Sequence, residues 1–260
     1  MQMMTNDIYK FYKENDEDMR LKRTRVNNIE FLTTMKYLEQ VCPPKSRILD
    51  ACAGTGIYAF HLADMGFRVV AGDLVDSNVE KIIDQQEHEQ VLEQIYTGST
   101  IDLSIFEDES FDVVLNLGSF YHLTSEKDRM KSIQESLRVL KPNGIYFIAY
   151  LNRYANIIKY IDQTTENFQM LEQYLEKGYK SEDSLFYASS PEEIELMMSK
   201  FSIEQLHNVA TDGLKFIIRD TVNEFSETKF ASWMEYHFKT CEVRSLLGYS
   251  EHGLYIGRKL

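Results

Sequence analysis

Two carboxylates separated by a turn of small residues are the groups in this sequence best placed to do chemistry. Asp50 ends the apolar run from Ser46, and the turn Ala51-Cys52-Ala53-Gly54-Thr55-Gly56 follows it. Asp73 ends a second apolar run, Phe67 to Gly72, roughly 20 residues on, the spacing at which an acid meets ribose hydroxyls in nucleotide-binding folds. A glycine-rich turn lets backbone come close to a ligand and aims helix N-terminal N–H groups at it. The turn departs from G-x-G-x-x-G and carries no G-K-S/T, which argues against a nicotinamide dehydrogenase and excludes a Walker-type phosphate loop. Further along, Ser119-Phe120-Tyr121-His122 follows an apolar run. His122 there is the candidate general base, able to titrate near neutral pH, and Tyr121 is placed to pack on a cation or orient a substrate. His88, His207, His237 and His252 are scattered, and Cys42, Cys52 and Cys241 have no ligand spacing, so no metal is expected.

These groups need a scaffold that gathers strand ends at one edge. Ser46–Asp50 and Phe67–Asp73 read as parallel strands around a short helix that stops near Gly66. Ser77-x-x-Glu80 reads as a capping box opening a helix that runs to about Gln94. Ile95–Leu103 follows as a third strand and its exit loop, and Phe111–Gly118 as a buried fourth strand. A helix carrying Met130, Ile133, Leu137 and Leu140 leads to the turn Lys141-Pro142-Asn143-Gly144 and a fifth strand, Ile145–Leu151. Before this block, Asn28–Val41 reads as a helix stopped by Pro43-Pro44. After it, 152–190 breaks the alternation and reads as a helical insertion. Pro191–Lys200 is then a helix, Phe201–Ala210 a sixth strand, Thr211–Leu247 helix, and Gly253–Lys259 a last strand antiparallel to the sixth. The expected fold is α/β: a doubly wound, mainly parallel seven-stranded sheet with an antiparallel last strand. One domain spans 1–260. It comprises an N-terminal helical flap (1–45), a cofactor-binding core (46–151), a helical lid (152–190) and C-terminal strands and helices (191–260).

The run D-A-C-A-G-T-G resembles the first motif of Rossmann-like, class I S-adenosylmethionine-dependent methyltransferases, commonly D/E-x-G-x-G-x-G, with Cys52 in place of the first glycine. FDVVLNLGSFYHL followed by a helix and RVLKPNGIYFIAY is similar to their fourth and fifth strand motifs. G-x-x-x-D-L-S (Gly98–Ser104) and L-G-x-x-Y-H-L (Leu117–Leu123) are similar to a bacterial group of small-molecule members. The resemblance implies S-adenosyl-L-methionine as cofactor. It implies contacts from Asp50, Ala51, Cys52, Ala53, Gly54, Thr55, Gly56, Asp73, Leu74, Thr100, Ile101, Asp102, Asn116, Leu117 and Gly118. Tyr12 and Arg20 of the leader are candidates to cover the cofactor's sulfonium and carboxylate. The third-strand loop of such enzymes often carries an adenine-binding acid after a glycine. Here Ser99 follows Gly98, and Asp102 stands three residues late.

The formal net charge of −13 over 260 residues argues against long nucleic acid as partner. No apolar run reaches the roughly 20 residues of a membrane span, and the N-terminus lacks an apolar signal core. The expectation is a cytoplasmic monomer or homodimer that methylates a small-molecule acceptor. The alternatives are a non-enzymatic cofactor-binding or regulatory protein, and a methyltransferase acting on RNA or protein.

Overall fold

Apolar runs alternating with amphipathic helices bury best as a sheet covered on both faces, and the computed structural model takes that form; it describes residues 21–89, 91–163, 171–172 and 186–260. The strands are β1 (Arg47–Asp50), β2 (Arg68–Asp73), β3 (Gln94–Thr97), β4 (Phe111–Asn116), β5 (Leu140–Asn152), β6 (Ala188–Ser189), β7 (Ile203–Ala210) and β8 (His252–Lys259). Seven of them run in the order β3-β2-β1-β4-β5-β8-β7. The first five are parallel, and β8 is antiparallel to both β5 and β7. The sheet has one strand more than expected: two-residue β6 pairs beside the end of β5, off the main path.

Period-two alternation sends Ile48, Val69, Val113 and Phe147 to one face, against Leu38 and Leu62. Leu49, Val70, Val114 and Tyr146 go to the other, against Ile133, Leu137, Ile194 and Met198. Chain order reverses on either side of β1, which pairs with β2 and with β4. Ligands bind open α/β sheets in the crevice at such a point, beyond the carboxyl ends of the strands.

Several boundaries differ from the sequence reading for local reasons. The first helix starts at Arg25, because the Thr24 side chain accepts the Asn27 N–H as an N-cap. The helix read as opening at a Ser77 box instead spans Asp76–Glu89, with Val75 and Asn78 held by Asp73. It stops short of Gln94 because the Gln86 side chain folds back: it accepts the N–H groups of Val91 and Leu92 and donates to the Leu92 carbonyl. Lys141–Gly144 is carried inside β5 as an irregularity with Asn143 at φ 62°, rather than as a free turn. The C-terminal helical stretch is three helices, Lys215–Asn223, Glu227–Thr240 and Arg244–Leu247. Pro191–Met198 opens with a full capping box between Ser190 and Glu193.

Of the expected insertion, the helix Arg153–Gln163 and the residues from Phe186 on are described. The middle of the insertion lies largely outside the described residues, as do Tyr12, Arg20 and the rest of 1–20.

Candidate active site

The carboxyl ends of β1, β2 and β4 and the loop after β3 enclose a cavity of about 960 Å³, measured out to its mouth. Ala51 to Thr55 form one wall; Asp73, Leu74, Val75 and Asn78 form the next; Gly98 to Thr100 and Leu117 to Ser119 form the floor. Leu21, Ile57, Tyr58, Tyr121, His122 and Leu123 complete the lining.

The turn after β1 is shaped by two glycines in the left-handed region. Gly54 has φ 56°, and a Cβ there would meet nothing within 4 Å. Gly56 has φ 92°, and a Cβ there would stand 2.8 Å from the Phe60 ring. Gly56 therefore seats the turn on the helix Ile57–Asp64, while Gly54 leaves the backbone bare toward the cavity.

Asp73 holds this turn in place. Its Oδ2 accepts the Gly54 N–H at 2.8 Å, and its Oδ1 accepts the Val75 N–H at 2.9 Å and the Asn78 amide at 3.2 Å. The Leu74 N–H also approaches this carboxylate, so backbone and amide donors hold Asp73 at the cavity wall. Burial pushes its pKa up, against the pull of those donors.

Asp50 is 1% exposed and lies behind the turn. No side chain donates to either of its carboxylate oxygens; the Cys52 N–H is the donor that approaches them. Burial, and then the charge of Asp73, push its pKa up to about 7, with only the Cys52 N–H pulling the other way. The Cys52 thiol is pushed up to about 12 by burial and by Asp50. A buried carboxylate without side-chain partners is destabilised unless a cation or further donor meets it.

A ring of hydrogen bonds lies under the floor. Asn116 Nδ2 donates to Ser132 Oγ at 3.0 Å, and Ser132 donates to Thr100 Oγ1 at 3.0 Å. Thr100 Oγ1 and Ser119 Oγ are 2.8 Å apart, and Ser119 donates to Asn116 Oδ1 at 2.7 Å. Asn116 is fully buried, so the ring supplies the partners its amide needs.

Tyr121 and His122 lie on a 3₁₀ turn, Ser119–His122, and line the same cavity as Asp73. The Phe186 ring packs on both, with centroids 4.9 Å from His122 and 6.2 Å from Tyr121. The Tyr121 carbonyl accepts the Tyr187 N–H at 2.6 Å, and the Arg129 guanidinium sits 3.5 Å over the Tyr187 ring. The end of the insertion thus returns to the His122 turn.

Of the candidate residues, Ala51 to Thr55, Asp73, Leu74, Thr100, Leu117, Gly118, Tyr121 and His122 line one cavity. Asp50, Gly56 and Asn116 stand behind it as supports. Ile101 does not line it, and Asp102 is exposed, its Oδ1 accepting the Ser104 N–H in its own turn. Ser132 and Phe186 had no signal in the sequence, because nothing local ties them to the turn they serve. Nor did a second buried cluster, where His252 Nδ1 lies 2.8 Å from Asp212 and 3.4 Å from Glu30. The Lys215 ammonium lies 3.6 Å from Asp212 and 3.3 Å from Glu251 there, so the cluster already holds a cation.

Residues 49–148 match the family model described as "Methyltransferase domain". The chain is 30% identical over 168 residues to a glycine/sarcosine N-methyltransferase of Aphanothece halophytica, covering 61% of this chain and 55% of that protein. It is 32% identical over 107 residues to a ubiquinone biosynthesis O-methyltransferase of Parvibaculum lavamentivorans, covering 41% of each. The chain thus spans about half the length of the curated relatives it matches. Among solved structures, a SAM-dependent methyltransferase from Methanosarcina mazei superposes with a TM-score of 0.59 at 15% identity, over 86% of this chain and 97% of that one. A putative sarcosine dimethylglycine methyltransferase from Galdieria sulphuraria gives 0.56 at 16% identity, over 90% and 84%. The glycine turn at the switch point thus lies in a stretch that matches a methyltransferase domain, on a fold shared with these methyltransferase structures.

Proposed function

We propose that the protein transfers a methyl group from S-adenosylmethionine to a small-molecule acceptor. The observation that carries this reading is the buried Asp50 carboxylate, with no side-chain partner, behind a bare glycine turn that Asp73 braces. A cofactor with a ribose diol and a cationic amino acid end fits those groups: the diol meets the Asp73 carboxylate where it lines the cavity, and the cation offsets the buried charge of Asp50. No phosphate cradle is needed. The relatives fix neither the acceptor nor the atom methylated, since those named act through N and O.

When bound, the cofactor supplies an activated methyl group on a sulfonium with a neutral thioether as leaving group. The chain's task is then mainly alignment, which is worth up to ~7–11 kcal/mol in well-oriented reactions. Gly54 backbone, Asp73 and the Thr100–Ser119 floor hold the nucleoside. Tyr121, His122 and Phe186 line the acceptor side, where aromatic faces favour a cationic centre. His122 takes the acceptor's proton where the acceptor must lose one. Residues 152–190 serve as a lid, a reading supported by the seat of Phe186 on the His122 turn.

We infer further a cytoplasmic monomer or homodimer, supported by the unpaired thiols of Cys42, Cys52 and Cys241. Among the described residues no helix is long and apolar enough to cross a membrane. Isothermal titration with S-adenosylmethionine and with NAD tests the cofactor: binding of the first alone is expected, and absence of such binding overturns the reading. A methyl-acceptor screen over small amines, phenols and carboxylates then separates an enzyme from a cofactor sensor.

A further inference from the structure

The loop after β3 brings no acid to the cavity lining: Ser99 follows Gly98, and Asp102 is turned to its own backbone. What stands there instead is the ring Asn116–Ser132–Thr100–Ser119. Its direction is fixed by its one amide. Asn116 Oδ1 can only accept, and it receives both Ser119 Oγ–H at 2.7 Å and Cys52 Sγ–H at 3.7 Å. Asn116 Nδ2 can only donate, so Ser132 accepts from it and sends its own proton to Thr100. Ser119 has spent its proton on Asn116, so Thr100 is the donor of the 2.8 Å bond between them. Every hydroxyl proton is consumed inside the ring, and each bond runs in the same sense, an arrangement in which neighbours polarise one another.

Thr100 and Ser119 are at once members of the ring and of the cavity wall, whereas Ser132 lies wholly behind it. Each of the two wall hydroxyls accepts one bond in the ring and keeps one lone pair. The floor is therefore a neutral acceptor that has no proton to give. We infer that the Thr100–Ser119 pair, with its protons held by Asn116 and Ser132, reads the exocyclic amine of the cofactor's base, so that two hydroxyls do there what a carboxylate would do. This rests on the cofactor reading above. It adds a specificity: a 6-amino base donates to the floor, whereas a 6-oxo base sets its oxygen against the remaining lone pairs.

The experiment is isothermal titration of S-adenosylhomocysteine and of its deaminated S-inosyl counterpart against the full chain, as wild type, Ser119→Ala and Thr100→Val, each with a thermal melt. Wild type should prefer the adenosyl compound by at least ~10-fold, the effect of leaving a buried polar group unmatched. Ser119→Ala removes the acceptor of the Thr100 proton and frees it to turn into the cavity. That variant should bind the inosyl compound more tightly than wild type does, a gain that general loosening of the fold cannot produce. Thr100→Val, nearly the same shape without the hydroxyl, should bring the two affinities within ~3-fold of each other. Wild-type binding of neither compound overturns the methyltransferase reading and this one with it. Equal wild-type binding of both overturns the floor as reader and leaves the cofactor reading standing. A Ser119→Ala that weakens both compounds by the same factor makes the ring purely structural and also overturns the proposal. If Ser119→Ala does not fold, the Thr100→Val ratio decides, and a wild-type-like ratio there rejects it.

Discussion

Replacing Asp50 with Asn separates what stabilises the empty fold from what binds the ligand. The Asp50 carboxyl is shifted from 3.8 to about 7 by burial, helped by Asp73. A folded-state value above the unfolded one means that the fold is most stable below pH 4. Stability is lost as pH rises to about 7 and changes no further above it. At about 1.4 kcal/mol per pH unit, the ionised carboxylate costs the empty protein about 4 kcal/mol at pH 8. Asn keeps the shape and removes the charge, but leaves a buried amide unmatched at a cost of about 1–3 kcal/mol. Asp50→Asn should therefore melt roughly 3–8 °C higher than wild type at pH 8 for a domain of this size. The gain should vanish at pH 4, where the folded wild-type carboxyl is neutral and ionisation of the unfolded one costs less than the unmatched amide of the variant. S-adenosylhomocysteine, whose amino group is a cation, should reverse the order. Titration at pH 8 should show Asp50→Asn binding it at least ~10-fold more weakly, since a cation in the cavity is attracted by the buried carboxylate behind the wall and not by a neutral amide. Wild-type affinity should itself fall below pH 7. A variant that melts below wild type by the same margin at pH 4 and pH 8 refutes the strained carboxylate. A variant with undiminished affinity removes Asp50 from the site.

Asp73→Ala should weaken S-adenosylmethionine roughly 10- to 100-fold, and, because Asp73 also holds Gly54, Val75 and Asn78, it should lower the melting temperature as well; titration and a melt on one sample check both, and wild-type affinity rejects the ribose assignment. His122→Ala should leave cofactor affinity intact, and if His122 is the base its rate should fall 10²–10⁴-fold with a loss that shrinks as pH rises; a flat pH–rate difference assigns it to orientation instead. Gly56→Ala puts a methyl group against the Phe60 ring at positive φ, so a destabilisation above ~1 kcal/mol is expected by denaturant titration. The Glu30, Asp212 and Glu251 carboxylates raise the His252 pKa against burial, with Lys215 beside them. The stability these pairs supply is present at acidic pH and lost as pH rises through the folded value, so His252→Gln should flatten that limb of the melting profile.

The parallel core was legible because buried strands leave long apolar runs and their ends carry the acids: Asp50 and Asp73 could be placed from spacing alone. Boundaries moved where a side chain competed with a backbone rule. Gln86 ended a helix early by folding back on Val91 and Leu92, and Thr24 began another at Arg25, three residues before the expected start at Asn28. At the site, a run of neighbours such as Ala51–Thr55 was readable as one wall. Asp102 was not, because its exposure depends on a turn closed by Ser99 and Ser104. Ser132 was invisible for a different reason: it meets Thr100 and Asn116 only after a helix has docked on the sheet, and no pattern of period two or 3.6 records that meeting. The Glu30–Asp212–His252 cluster likewise joins three segments far apart in sequence.

The position of β8 sets the order in which this molecule can be assembled. Strands β1 to β5 can pair as soon as the chain through Asn152 has emerged, since each finds its neighbour among residues already made. β7 cannot join them, because among the described residues its partner in the sheet is β8, which lies between it and β5. Until residues 252–259 arrive, the nascent protein displays the bare edge of β5, a template for pairing with other chains. The ligand cavity, built from β1 to β4, belongs to the part that can form first. Cofactor present during synthesis would therefore stabilise the early half by mass action while the late half is still loose.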